Sequence, residues 1–298
     1  MTSVSRSQTQ SNGSVLTNPI LLGAWVLLIA SAVWSTKDQW ADIIMIAGRD
    51  DEQSHIILVP LVAAWMVWIR RARFRRFRPY GAMFGPLLIL AGWVMSYVGY
   101  HNAIQSAWHA GAVVVLVGTI VTGLGLNMLL QMFPAFAVLV FLVPVPGTVR
   151  QMIAGPLQTA SAKATQVILE TFGAPIERST NLLTINGHEI AVVEACNGMR
   201  MVLGLILVSF CFAFSMPLRP YVRLLVLIGS PLAAILCNII RLVPTVLLYG
   251  YGPQSVADAF HDVSGWLMLP LAFLLLMGVT RALNWALVPV TRFSLAYQ

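Results

Sequence analysis

Apolar residues run through this chain in long blocks separated by short polar breaks, rather than alternating as in strands or striping one face as in soluble helices. The blocks predict eight membrane-crossing helices, over residues 19–35, 54–69, 81–100, 107–125, 129–146, 196–216, 224–248 and 262–284. Most have roughly the 17–25 residues that a helix needs to cross hydrocarbon; the second is short. The first follows a polar leader, residues 1–18, that lacks clustered positive charge, and no small-residue cleavage site stands out after it, so it reads as a retained span. The longest polar interval is 147–195. Its first part, TVRQMIAGPLQTASAKATQVILETFG, has helical spacing of apolar residues and suits a helix lying in the interface plane. Its second part, NLLTINGHEIAVV, puts two β-prone runs around Asn186-Gly187, a strong hairpin signal and the only sheet expected. The expected fold class is therefore all-α polytopic membrane protein: about eight transmembrane helices plus a short extracytoplasmic β-hairpin and an interfacial helix. The expected organisation is a cytoplasmic leader over 1–18, a single transmembrane domain over 19–286 and a tail over 287–298.

Composition agrees. Of 298 residues, 58% are hydrophobic and 10% charged, against about 25% charged in soluble domains. The net charge of +7 reports topology rather than nucleic-acid binding, because Lys and Arg gather in cytoplasmic loops. RRARFRRFR, residues 70 to 78, marks one such loop. Alternation then puts both termini in the cytoplasm and residues 36–53, 101–106, 147–195 and 249–261 outside. All eleven Asp and Glu lie at or near that predicted outer face. Three cysteines cannot all pair, so no disulfide framework is expected.

The informative residues are polar ones at membrane depth, which are costly and usually functional. EACNGMR holds Glu194, Cys196, Asn197 and Arg200 where the sixth span begins. Arg200 lies one turn beyond Cys196 on the same face, and a cysteine at a helix N-terminus near a cation favours the nucleophilic thiolate. CNIIRLVP, in the seventh span, puts Asn238 and Arg241 on one face, with Pro244 beyond. Snorkelling to the headgroups is the plainer reading of that arginine; the asparagine one turn earlier argues for a held guanidinium. HDVSGW, at the start of the eighth span, offers His261, with Gly265 one turn later to permit close helix approach. Cys211 and Cys237 sit in apolar surroundings and read as core.

Cys196, Arg241 and His261, drawn from spans of alternating direction, are all expected at the outer boundary. They supply a nucleophile, a positive group for an oxyanion or substrate, and an acid/base, the equipment of acyl transfer through a thioester. A serine site is not supported, since no G-x-S-x-G appears. His188, Glu194, Cys196 and His261 carry neither H-E-x-x-H nor C-x-x-C, so no metal and no cofactor is expected. The rival reading is a transporter or channel with Arg241 and Asn238 lining a polar path. Such sites tend to lie near the midplane, often with repeat symmetry; here the polar groups cluster at one boundary and no repeat is visible.

EACNGMR, NIIR and HDVSG on three consecutive spans resemble the exosortase/archaeosortase family of membrane transpeptidases. SHIILVP (Ser54 to Pro60) and FLVPVPG (Phe141 to Gly147) are also similar to that family's pattern. The resemblance implies a cysteine protease-transpeptidase of the inner cell membrane, with its active site on the extracytoplasmic face. Its partners would be exported proteins carrying a C-terminal sorting signal (a short motif, an apolar span and a basic cluster) and a surface acceptor such as a polysaccharide or lipid. It implies Cys196 as nucleophile, Arg241 as the positive group and His261 as acid/base, with Glu194, Asn197, Arg200, Asn238 and Gly265 in support. Ile56 follows His55 where the family usually has Gly, which argues against a direct role for His55.

Overall fold

A computed structural model describes residues 19–72, 81–191 and 198–285. The described residues fold as helices with one small sheet, an all-α membrane architecture. In order these are α1 (Pro19–Ser35), α2 (Lys37–Arg49), a 3-10 segment (Asp51–Leu58), α3 (Val59–Ile69), α4 (Phe84–His101), α5 (Gln105–Leu124), α6 (Leu126–Gln131), α7 (Phe133–Ala137), a second 3-10 segment (Val138–Leu142) and α8 (Gly147–Thr171). Strands β1 (Ile176–Ser179), β2 (Leu182–Ile185) and β3 (His188–Ala191) follow, then α9 (Gly198–Ser215), α10 (Pro220–Tyr251) and α11 (Gln254–Trp285).

Among the described residues each of the eight apolar stretches falls largely on helical structure, but not each on one straight rod. Among the described residues three helical segments are long and apolar enough to cross a membrane, or up to five if each sharply bent pair is one span. Pro19–Ser35 and Lys37–Arg49 meet at 67°. The hydroxyls of Ser35 and Thr36 both donate to Ala32 O, at 2.9 and 2.8 Å, where the chain turns from apolar to charged. The fifth stretch is broken into α6, α7 and a 3-10 segment, and Phe133–Leu142 meets α8 at 95°. Pro144 and Pro146 cannot donate to a helix there. The one N–H between them, on Val145, donates instead to Gln53 Oε1 at 2.9 Å. The hairpin is also larger than expected: β1 adds to it, giving an antiparallel sheet in the order β1-β2-β3. Asn186 and Gly187 form its second turn with φ of 48° and 79°, the left-handed pair that a two-residue hairpin requires.

Contacts gather into two compact units, one of residues 1–42 and 70–140, the other of 43–69 and 141–298. In the first, α4 and α5 pack closely along their lengths. Gly85, Gly92 and Gly99 of α4 are buried, and they make the closeness possible. A Cβ on Gly92 would stand 2.7 Å from Gly111 O, and one on Gly118 of α5 would stand 2.7 Å from Ile89 N. Without a hydrophobic drive between helices in lipid, small residues that admit backbone contact supply the packing. Fully buried His109 of α5 meets Asp42 of α2 through Nε2 and Oδ2 at 2.8 Å. In the second unit, Ile176, Leu183, Ile185 and Ile190 of the sheet form a core with Ala162 and Leu169 of α8 and Leu242 and Val246 of α10. The sheet is thus seated on α10 and α8 rather than hanging as a connector.

The glycine seam makes a stability prediction. Gly92→Val forces backbone apart and should cost about 1–3 kcal/mol, the range for overpacking. Gly23→Ala, which meets nothing within 4 Å, should stay within about 0.5 kcal/mol. Unfolding in mixed detergent micelles would compare them; equal stability of the two variants would refute the seam.

Candidate active site

Only Gly252 and Pro253 separate α10 from α11, so the two helices run side by side in opposite directions. Gly252 N donates to Leu248 O at 2.8 Å, closing α10, and the Tyr249 hydroxyl donates to Asp258 Oδ1 at 2.6 Å across the turn. Helical rise then puts Arg241 roughly 17 Å back along α10 and His261 roughly 13 Å forward along α11. The short turn brings the two residues nearly level. His261 stands two turns inside α11, which begins at Gln254, rather than at the mouth of a helix starting near 262.

Arg241 is 3% exposed, so its guanidinium is turned into the protein and does not snorkel. Nη2 donates to Asn238 Oδ1 at 3.5 Å, from one turn earlier on the same face. Nη1 lies 3.5 Å from where a Cβ on Gly265 would sit. A methyl at Gly265 would just touch the guanidinium, so it is the lack of anything larger there that leaves room on α11 for the cation. Gly265 is one turn beyond His261, whose half-buried ring has Nδ1 3.3 Å from Asp262 Oδ1. α10 passes unbroken through Pro244, and the Thr245 hydroxyl donates to Arg241 O at 2.7 Å. Side-chain hydroxyls of this kind help a membrane helix to tolerate proline.

The sheet holds the same stretch of α10. Leu242 and Val246 pack under β1, β2 and β3, Asn186 Nδ2 donates to Gly250 O at 3.1 Å, and Ile185 fills the space over Gly250. β3 ends at Ala191. Cys196, Glu194 and Asn197 lie outside the described residues, so their geometry relative to Arg241 is not part of the structure. Arg200 is in the first turn of α9. α9 itself packs against both α10 and α11, with Val202 and Leu205 meeting Ala233, Ala234 and Cys237 of α10. The structure thus brings together Arg241, Asn238 and Gly265, with His261 one turn before Gly265 on α11. Among the described residues no three of His, Cys, Asp and Glu converge as a metal site.

One polar cluster was not anticipated as part of a site. Arg150, in the first turn of α8, donates from Nη1 to Asp50 Oδ2 at 2.8 Å and to Glu52 Oε2 at 2.7 Å. Gln53 Nε2 donates to Asp50 Oδ2 at 3.2 Å while its oxygen takes the Val145 N–H. The residues just before SHIILVP and the end of FLVPVPG, about 90 residues apart in the chain, are therefore pinned together at the start of α8. The available signal was the acidic run Asp50–Asp51–Glu52 before the first motif and the lone Arg150 after the second. His55 is buried at 4% exposure in the same 3-10 segment, and its Nδ1 has no hydrogen-bond partner among the described residues.

Fold and seam define the class: a helical multi-pass membrane protein with a buried arginine facing a histidine-bearing helix. Residues 34–278, well over half of the chain, match the family model described as transmembrane exosortase (Exosortase_EpsH), and the chain belongs to that family. No curated protein and no solved structure matches it. Membership carries a membrane-bound protein-sorting role on exported proteins.

The gap at Gly265 is directly testable. Gly265→Ala puts a methyl at 3.5 Å from Nη1, ordinary contact distance, and should leave sorting activity close to wild type. Gly265→Leu needs the guanidinium to move by an ångström or more and should lower activity about 100-fold. Equal activity of the two variants in membranes carrying equal amounts of protein would contradict the assigned role of the gap.

Proposed function

We propose that this chain is a cysteine protease-transpeptidase of the inner cell membrane that cleaves C-terminal sorting signals of exported proteins through a thioester on Cys196. The observation that carries this reading is the burial of Arg241 at the α10–α11 seam, at 3% exposure beside Gly265, the residue one turn beyond His261 on α11. A buried cation is costly in lipid and persists where it has a task. Family membership supplies the protein-sorting setting.

In the proposed reaction the Cys196 thiolate adds to the scissile carbonyl carbon, and Arg241 stabilises the oxyanion or orients the carbonyl. The C–N bond breaks, and the leaving amine takes a proton from the His261 imidazolium. The neutral imidazole then accepts the proton of an incoming nucleophile on the surface acceptor as that nucleophile attacks the thioester, and the thiolate leaves. In this scheme the Asp262 carboxylate, 3.3 Å from Nδ1, takes the hydrogen bond of the Nδ1 proton and leaves Nε2 for the exchange. Arg200 and the start of α9 favour the thiolate, with Glu194 and Asn197 flanking it. The site faces out of the cell with both termini in the cytoplasm, an orientation supported by the arginine-rich loop at 70–78.

Cys196→Ala should leave the chain in the membrane at wild-type level while its exported substrate accumulates uncleaved; normal processing in that strain would end the proposal. In a variant with Cys211 and Cys237 replaced by alanine, a membrane-impermeant maleimide should label Cys196 in intact spheroplasts. Labelling only in inside-out vesicles would reverse the assigned orientation.

A further inference from the structure

A second feature of this unit adjoins the arginine. Ala154, Gln158 and Ser161 of α8, Val202 of α9, and Ala234 and Asn238 of α10 line a small pocket with an open mouth. Its described wall is apolar apart from two amides and a hydroxyl, and holds no charge. The small side chains of Ala154, Ser161 and Ala234 are what leave it open. Asn238 is shared with the site, since its Oδ1 accepts from Arg241.

The polar groups are the informative part. Ser161 is 1% exposed, faces the pocket, and makes no hydrogen bond among the described residues. Asn238 is 6% exposed and uses its oxygen on Arg241, so Nδ2 is a donor with no acceptor among the described residues. Gln158 uses its oxygen on Asn181 Nδ2 at 3.4 Å, which likewise leaves the Nε2 donor. Three donors around an apolar hollow are complementary to carbonyl oxygens beside a small uncharged side chain. An extended peptide presents that combination, a backbone carbonyl on either side of each side chain. A lipid chain filling the hollow would leave the donors unmet.

We infer that this pocket is the subsite that selects one residue of the sorting motif: it takes an uncharged side chain of alanine to valine size, with Ser161, Asn238 and Gln158 donating to the flanking peptide carbonyls. This rests on the transpeptidase reading above and adds to it the specificity of the substrate. The shared Asn238 sets the geometry, because a peptide held by its Nδ2 lies one residue from the guanidinium that would receive the scissile carbonyl. Bulky and charged residues are excluded at that motif position by the closed walls and by the lack of any counter-charge.

The test uses the full-length protein in its own membrane. The probe is the exported protein that accumulates uncleaved in Cys196→Ala cells, with each residue of its C-terminal motif replaced in turn by Gly, Ala, Val, Phe and Asp. Wild type should cleave Ala and Val at least about tenfold better than Phe or Asp at one position, a discrimination within reach of such a pocket. Ser161→Leu, which grows into the hollow, should move the preference at that position alone to Gly by about tenfold. Ser161→Ala should keep the size preference and lower the rate at every substitution alike. An unmoved Ser161→Leu profile, or equal loss at all positions including Gly, overturns the subsite. If Ser161→Leu does not accumulate in the membrane, Ser161→Val carries the same comparison with the same two outcomes. Cleavage persisting in Cys196→Ala overturns the enzyme reading itself, whereas strict dependence on Cys196 with an unmoved profile overturns the pocket alone.

Discussion

A guanidinium inside a membrane protein has to be met by the protein, and that constraint organises the second unit. Placing an arginine at membrane depth costs about 2.5–3.5 kcal/mol on insertion scales, so Arg241 stays buried where neighbouring groups receive it. Asn238 one turn back supplies an oxygen, and Gly265 on the facing helix supplies space. Neither alone would suffice: a side chain larger than a methyl at 265 would displace the cation, and without the amide oxygen its donors would lose an acceptor. The two-residue connection at Gly252-Pro253 makes the meeting possible, because it leaves α10 and α11 little freedom to slide.

Other elements of the unit brace this pair. The sheet packs its apolar face on Leu242 and Val246, the positions that follow Arg241 on a neighbouring face of α10. α8 lies against α10 and carries one wall of the pocket beside Asn238. The origin of α8 is set by Arg150 bridging Asp50 and Glu52 and by Gln53 receiving the Val145 N–H. Exposed ion pairs contribute little, and these three side chains are between a fifth and about a third exposed. Their effect is directional: a fork of charge-assisted bonds fixes where a helix begins after two prolines have interrupted the preceding one.

The first unit solves a different problem by different means. α4 and α5 approach through glycines, so backbone meets backbone with few polar side chains involved. The exceptions are specific. Ser96 donates to Trp108 O at 3.1 Å, Trp25 Nε1 donates to Thr119 O at 2.9 Å, and His109 meets Asp42. Each satisfies a polar group that lipid would leave unsolvated.

The chain's apolar blocks determine its helices and its membrane class, because hydropathy over about 20 residues is a local property that tertiary contacts do not reverse. Asn186-Gly187 likewise determines a turn, since two adjacent residues with positive φ suit little else. EACNGMR, NIIR and HDVSG were legible as a set because each puts a polar group where an apolar one is expected. The breaks at Thr36 and at Pro144–Pro146 coincide with the ends of apolar stretches, but hydropathy carries no bend angle and does not show that the fifth stretch is divided into α6, α7 and a 3-10 segment. β1 was missed because Ile176–Ser179 is four residues of mixed polarity, strand only by pairing with β2. That Arg241 turns inward, that Gly265 makes its room, and that α8 closes a pocket beside Asn238 were decided by the tertiary structure. Those facts depend on which faces of separate helices meet, and a linear pattern carries each face without naming its partner.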